Sequence, residues 1–541
     1  MLMGNKVQTS IEIHADIKDF DTAHAYVEDL LERTSASKEI ARETALVFET
    51  LFESILAQGL DSNTPITIST EKKLGRVNLK IGYEGKMFAP PEIKDGISPE
   101  LALLESYAEK ISYSYASGFN TIRIAVLMNP RRYLFLCGAA IALAVVFYAA
   151  IYAFTTPETR LVILDDYVFP LEQLYANAIL MIGAPVTFFS LLKNTSDSII
   201  ISERILNSRR FNRKSVLTSI FAVLLALGLG LALTYAISDL RGYDAAYGAN
   251  YSEHSFAEMV VSLIPPSIFE PFETISPIPL IIVALLVTNA LTAAGKNFNT
   301  MKTAIDTCYE LFSHMLRTIM AALPLAVFLA CLDIMLDGAD EALIYSGGLI
   351  LFILVSSIVL FATYALRLKL KGEKVGPFIK KLPPLLRENR AIGSAIDAVP
   401  FNVRYCARHF GMDRKNLARI LSVLAQINRD GNCFLLMLST ILFAFIVGVE
   451  MSALSIAVIS ALVLFLSFGA PNQPGSILIG MLFVVNYLGS NELICTAILL
   501  ELCLGGMQNM INVIGDIVIV AEEQKRDLPH SVSSGSSTAT N

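Results

Sequence analysis

Two short polar clusters interrupt apolar sequence near the end of the chain. Asn428-Arg429-Asp430-Gly431-Asn432 breaks the long stretch 416–449, and Asn512 and Asp516 stand four apart within 492–520. That spacing puts Asn512 and Asp516 on one face of a helix. Thr218 and Ser219 lie one turn inside a third apolar stretch, 215–238. Carboxylate, amide, hydroxyl and backbone oxygens are what a hard cation such as Na⁺ prefers. Asn and Asp at membrane depth are costly and mark ion or substrate paths. Asn and Thr also hydrogen-bond neighbouring spans together, and that structural role suits Thr218 and Ser219 taken alone. A buried carboxylate costs too much to serve as glue, so Asp430 and Asp516 are the firmer cation ligands. Arg429 adds a fixed positive charge among them.

The elements that position these residues follow from composition. The chain has 541 residues, 54% hydrophobic and only 17% charged, with a net charge of −7 and a mean hydropathy of +0.56. Soluble domains run near ~25% charged, so most of this chain is membrane protein. The acidic balance excludes a nucleic-acid binder, which needs a basic face, and the apolar content excludes intrinsic disorder. Residues 1–128 are different: they hold 13 Lys+Arg and 19 Asp+Glu, an ordinary soluble composition. Their first 30 residues lack the apolar core of a signal peptide, so this domain is expected to stay on the side where it is made. The seven cysteines and six histidines are scattered, with no CxxC and no ligand spacing for zinc.

A spanning helix needs about 20 mostly apolar residues. Stretches 133–154, 172–192, 215–238, 276–294, 310–332, 343–366, 416–449 and 492–520 qualify, giving eight expected spans. Basic loops at 193–214 and 367–390 alternate with acidic ones at 239–275 and 333–341. Basic loops stay in the cytoplasm, which places the N-terminal domain and the C-terminus there, in the plasma (inner) membrane. Residues 404–419 are basic again, so 377–403, with Pro377, Pro383, Pro384 and Pro400, must enter and leave on one face. Residues 451–490 are uncharged but broken by Gly469, Pro471, Pro474 and Gly475. Both read as re-entrant hairpins, and paired broken segments point to a transporter site. Irregular backbone at that depth needs protein or a wet cavity around it. The tail, 524–541, is rich in Ser and Thr and is expected to be disordered.

These residues resemble a family. Asn428-Arg429-Asp430-Gly431-Asn432 is similar to the Asn-Met-Asp-Gly-Thr signature of the dicarboxylate/amino acid:cation symporters, the glutamate-transporter homologues. Asn512-Val513-Ile514-Gly515-Asp516 resembles their last-span Asn-Val-x-Gly-Asp motif, and Leu217-Thr218-Ser219 their third-span Thr-Ser segment. The likeness covers about 129–523 and carries the same topology of eight spans and two hairpins. It implies a homotrimer in which a mobile transport domain moves substrate and Na⁺ by an elevator mechanism. Asn428, Asn512 and Asp516 would line one Na⁺ site, and Thr218, Ser219, Asn428 and Asp430 another. Asn432, and the external hairpin tip Pro474-Gly475-Ser476 as a gate, would meet the substrate.

The departures are informative. Arg429 replaces the family's Met. A serine-rich first hairpin tip is reduced to Ser394, followed by Ala395, Ile396 and Asp397. The acidic position that holds a substrate amino group falls on Gly505, the Arg that clamps a second carboxylate on Gln508, and a hydroxyl position on Asn509. Loss of a bidentate Arg argues against a conventional acidic amino acid as substrate. Two readings of Arg429 stand open. Its guanidinium pairs with Asp430, Asp397 or Asp516 and replaces a bound cation, or it points toward the first hairpin or the cytoplasm and snorkels.

In the N-terminal domain, alternation marks strands at 7–14, 64–70, 76–83, 110–116 and 119–127, and helical periodicity marks 20–34, 37–58 and 98–108. This order suits one small α+β core. It resembles the anti-sigma-factor branch of the histidine-kinase-type ATPase fold. That family's Glu-x-x-x-Asn box falls on Glu49 and Glu53, and its Asp-x-Gly-x-Gly motif on Tyr83-Glu84-Gly85-Lys86-Met87. The Mg²⁺-holding Asn and the adenine-reading Asp are gone, so a degenerate regulatory or docking domain without nucleotide is expected.

The expected function is a secondary active transporter: Na⁺- or H⁺-coupled symport of a small organic anion or amino acid, with no other cofactor. The alternative is a membrane ligand sensor signalling through the N-terminal domain. No nucleophile–base pair or phosphate loop supports an enzyme.

Overall fold

The computed structural model describes residues 10–86 apart from 17–18, 34–37, 57–59, 62 and 74–75, residues 111–126 apart from 117, and residues 130–524 apart from 205–207, 237–260, 262, 294–297, 337–339, 393–394, 397, 449–451 and 490–492. The expected helix at 98–108, the tail beyond 524, Ser394 and Asp397 lie outside the described residues. The chain divides into two compact units, Met1–Phe135 and Leu136–Asn541. This boundary falls a few residues beyond the composition boundary at 128/129 and lies within the first membrane-unit helix, which begins at Pro130.

In the N-terminal unit, β1 (Ser10–His14), β2 (Pro65–Lys73), β3 (Arg76–Glu84), β4 (Ile111–Ala116) and β5 (Phe119–Val126) form an antiparallel sheet in the order β1-β2-β3-β5-β4. Residues two apart share a face. Ile66 and Ile68 of β2 stand opposite Tyr83 and Ile81, and Leu79 opposite Ile124, so a single apolar face results. α1 (Phe20–Arg33) and α2 (Lys38–Leu56) complete the core with Val27, Leu31, Phe48, Leu51 and Phe52, all fully buried. Burial pushes the Tyr83 hydroxyl up to about 12. Glu49 is half-buried and Glu53 is exposed on α2.

The second unit is helical. In chain order it holds α3 (Pro130–Phe154), α4 (Pro157–Ile163), α5 (Phe169–Arg204), α6 (Ser208–Ala236), the one-turn α7 (Glu270–Glu273), α8 (Pro277–Thr292), α9 (Phe298–Met320) and α10 (Leu323–Leu336). There follow α11 (Asp340–Leu370), α12 (Val375–Ile392), α13 (Val399–Phe410), α14 (Arg414–Ile427), α15 (Asp430–Ile446), α16 (Ala453–Gly469), α17 (Ser476–Leu488) and α18 (Ile494–Gln524). A π-helical turn, Leu164–Val168, joins α4 to α5.

Among the described residues six helices are long and apolar enough to cross a membrane, or seven if the bent pair α9–α10 is one span. Eight were expected. The missing candidate is α8, whose 16 residues reach only about 24 Å at ~1.5 Å per residue, short of the ~30 Å hydrocarbon core. The expected span at 310–332 is broken: α9 and α10 meet at a 50° bend. α3 turns Phe135, Val146 and Phe154 outward, the exposure expected where lipid tails are the solvent, while α15 is buried throughout its first four turns.

α6, α11 and α18 are clamped at one end of this unit. Glu522 accepts from Arg367 Nε at 2.9 Å, Glu523 meets Arg210 Nη2 at 2.7 Å, and Lys214 reaches both carboxylates. Two acids in the last turn of a helix oppose its dipole, so three bases are gathered there to offset them. The basic stretches 193–214 and 367–390 thereby contribute side chains to the same end.

Candidate cation and substrate site

The polar break in 416–449 is short. Only Asn428 and Arg429 leave helical geometry, between α14 and α15, and Asp430 is already the first residue of α15. The break lies at the centre of the unit: Asn428, Arg429, Asp430 and Asn432 are all at most 2% exposed. It is closed on one side by α18. Gly431 packs flat on that helix, where a Cβ would sit 2.3 Å from the Gln508 carbonyl oxygen, so no other residue fits. The Gly431 N–H, one of the unpaired donors at the start of α15, donates to Asn512 Oδ1 at 2.7 Å. Asn512 Nδ2 donates to Asn432 Oδ1 at 3.1 Å, and Asn428 Nδ2 to the Asn512 carbonyl at 3.1 Å. Asn512 is thus the clasp between α15 and α18.

α6 closes the other side. Ser219 Oγ donates to Asp430 Oδ1 at 3.0 Å, and Ser215 Oγ to Asn428 Oδ1 at 3.4 Å. Thr218 turns its hydroxyl back to the Ser215 carbonyl at 2.8 Å while staying beside Asp430. Tyr364 of α11 donates to the second oxygen of Asp430 at 2.8 Å. Asp516, one turn beyond Asn512, is 3% exposed and stands beside Asn428, yet its Oδ1 has no hydrogen-bond partner. Neither Asp430 nor Asp516 makes an ion pair among the described residues; Arg210, Lys214 and Arg367 are committed to Glu522 and Glu523, and Arg429 is turned to Asn472. The six residues Thr218, Ser219, Asn428, Asp430, Asn512 and Asp516 therefore surround one buried oxygen-rich locus.

Arg429 is not paired with Asp430 or Asp516. Its Nη1 donates to Asn472 Oδ1, and the side chain is 1% exposed, so it does not snorkel to water. Asn472 belongs to the connection between α16 and α17, whose tip was expected at Pro474-Gly475-Ser476. Pro474 is exposed, Gly475 has a left-handed φ of 94° and serves as the N-cap of α17, and Ser476 is buried. Gln508 Nε2 donates to Ser476 Oγ at 2.7 Å. Asn509 instead faces α12, donating to the Asn389 carbonyl at 2.7 Å, and Asn389 and Asn402 exchange side-chain hydrogen bonds of 2.6 and 3.0 Å across α12 and α13.

Four residues of this region escaped sequence reasoning. Glu501 of α18 accepts from the Gly475 N–H at 3.1 Å and the Leu478 N–H at 2.8 Å, a buried carboxylate at the start of α17. Its signal was present: it is the one charge between Glu492 and Asp516, and a lone intramembrane charge is a functional candidate by default. Tyr364 and Ser215 sit in apolar stretches without any distinguishing spacing. Asn472 carries no signal apart from its place in the hairpin.

Oxygen donors, two buried acids without an ion-pair partner and a helix broken inside the bundle are features that suit a carrier-type membrane protein. A family model for the sodium:dicarboxylate symporter family matches residues 127–522, and the chain belongs to that family. It is 24% identical over 272 residues to C4-dicarboxylate transport protein 1 of Pseudomonas aeruginosa, covering 49% of this chain and 60% of that protein. The protein of the same name from Pseudomonas paraeruginosa is also 24% identical, with 61% of its length covered. The chain thus spans about three fifths of the curated relatives it matches. A symporter family is a class of transporters, not of enzymes.

Proposed function

We propose that this protein is a secondary active transporter that couples uptake of a small organic acid to a cation, Na⁺ or H⁺. One observation carries the reading: Asp430 and Asp516 are buried in the membrane unit among neutral oxygen donors, with an Asp516 oxygen left unpartnered. An ionised carboxylate in that setting needs a positive partner, and an oxygen-only donor set suits a hard cation. Asp516 with Asn428, and Asp430 with Ser219 and Thr218, are the residues that would hold it. The relatives named for C4-dicarboxylate transport favour a small organic acid over an amino acid.

The mechanism follows the family resemblance. α12–α13 and α16–α17 are the two re-entrant hairpins, α17 and its tip form the gate, and a transport domain built on α15 and α18 moves as an elevator within a homotrimer. The N-terminal unit and the C-terminus face the cytoplasm, and the N-terminal unit is a degenerate docking or regulatory domain without nucleotide. Uptake of labelled succinate into proteoliposomes tests this. An imposed Na⁺ or proton gradient should drive accumulation in the parent, and Asp516→Asn and Asp430→Asn should lose the cation dependence. Binding of ligand with no counterflow or uptake would reject transport and favour the sensor.

A further inference from the structure

The Arg429 guanidinium has a buried edge that makes no hydrogen bond. Nη1 is taken by Asn472, but Nε and Nη2 have no hydrogen-bond partner, in a side chain only 1% exposed. Nε–H and the Nη2–H beside it point the same way; together they are the side-on fork that meets both oxygens of a planar carboxylate. A buried charge with two unmade hydrogen bonds is strongly unfavourable. No carboxylate of the described residues within ion-pair distance removes that cost. The backbone explains the aim of the side chain. Arg429 sits at the break before α15, its N–H turned to Ser219 Oγ at 3.4 Å, and the contact with Asn472 pulls the guanidinium toward the hairpin tip. Asn472 is itself steadied, its N–H donating to Tyr309 Oη at 3.4 Å.

We infer that the free Nε/Nη2 edge of Arg429 is the binding site for a carboxylate group of the transported solute. This deepens the proposed function and rests on it for the solute's class. It also reassigns the Arg. The position that Gln508 occupies lacks a fork, and Gln508 is spent on Ser476, so the cationic clamp comes from the helix break instead of the last span. Arg429 then supplies the solute's counter-charge and is not a stand-in for a bound cation. Asp516, near enough to feel its field yet outside ion-pair range, keeps its own free oxygen for the cation. Anion and cation sites side by side favour joint occupancy, because each bound charge offsets the other.

The test is calorimetric binding to the full-length protein in nanodiscs. The probes are mono- and dicarboxylates of two to six carbons, succinate among them, each compared with its amide. The parent should bind a carboxylate and not its amide. Arg429→Lys keeps the charge but loses the fork, and should weaken binding about tenfold to a hundredfold, the worth of one charge-assisted hydrogen bond. Arg429→Met should abolish it. Equal affinity in parent and Arg429→Lys overturns the inference, as does a parent that prefers no carboxylate. Should both variants fail to fold, phenylglyoxal labelling of Arg429 in the parent, read by mass spectrometry, decides: succinate should slow it and succinamide should not, and equal labelling overturns the assignment. Arg429-dependent binding without uptake would leave the inference standing and sink the transport reading. Uptake of a non-carboxylate solute indifferent to Arg429→Lys would do the reverse.

Discussion

Glu501→Gln isolates the hold of α18 on the α16–α17 tip. The carboxylate accepts from two backbone N–H groups, at 3.1 Å from Gly475 and 2.8 Å from Leu478. The amide keeps one acceptor and turns its NH₂ toward the other donor, so one charge-assisted bond is lost, about 1.5–3 kcal/mol. The negative charge that complements the first turn of α17 goes with it, about 0.3–1 kcal/mol. Together these weaken the docked tip by about 2–3 kcal/mol, which allows for some relaxation. Hydrogen exchange on the intact protein reads this directly, because amide protection follows the local opening free energy. The Gly475 and Leu478 amides should exchange about 30- to 150-fold faster in Glu501→Gln, while the helices of the oxygen cluster keep their protection. A change under about threefold at these amides, in a variant whose melting is otherwise unaltered, would refute the capping argument.

Other substitutions probe separate contacts. A Cβ on Gly515 would stand 2.7 Å from Asn428 Nδ2 and 2.8 Å from Asp430 Oδ2, so Gly515→Ala should cost about 1–3 kcal/mol of overpacking and abolish any Na⁺-dependent rise in Tm with every ligand still present. Tyr364→Phe leaves one Asp430 oxygen without its donor and should lower stability by about 1–3 kcal/mol, measured by thermal unfolding in detergent. In the N-terminal unit, Phe48→Ala empties a fully buried site and should cost about 3–5 kcal/mol, seen as faster exchange across the sheet. Tyr83 has a folded pKa raised by burial from 10.0 to about 12. The stability this contributes is present below pH 10 and lost as pH rises toward 12, a slope that Tyr83→Phe should remove from the pH dependence of sheet exchange.

Much of this was legible in sequence because its physical cause is local. Alternation of Ile66, Ile68, Leu79 and Ile81 writes the sheet face, and Pro471, Pro474 and Gly475 mark the break in 451–490, whereas Pro383 and Pro384 lie inside α12 and do not end it. Asp430, Asn512 and Asp516 stand out since polar oxygen in an apolar stretch is rare for energetic reasons. Side-chain direction is not local. The candidate partners of Arg429 were Asp430, Asp397 and Asp516, yet its guanidinium meets Asn472, a residue 43 positions away. The bend between α9 and α10 and the shortness of α8 likewise depend on packing and on where helical hydrogen bonding stops, which mean hydropathy does not report.

Three departures from the family pattern look unrelated along the chain: Arg429 for Met, Gln508 for Arg, and Gly505 for an acid. In space they converge on one feature. Gln508 holds Ser476 and Arg429 holds Asn472. A Cβ at position 505 would lie 2.5 Å from Glu501 Oε1, so Gly505 is what lets Glu501 reach Gly475 and Leu478. Each departure therefore coincides with a contact to the same tip. Independent decay of a binding site would leave unmatched polar groups scattered through it, whereas here both polar positions, 429 and 508, have partners on one short segment. Arg429 in addition keeps its buried Nε/Nη2 fork without a hydrogen-bond partner beside that segment. The changes thus gather on one closely held tip, toward which the Arg429 guanidinium is aimed.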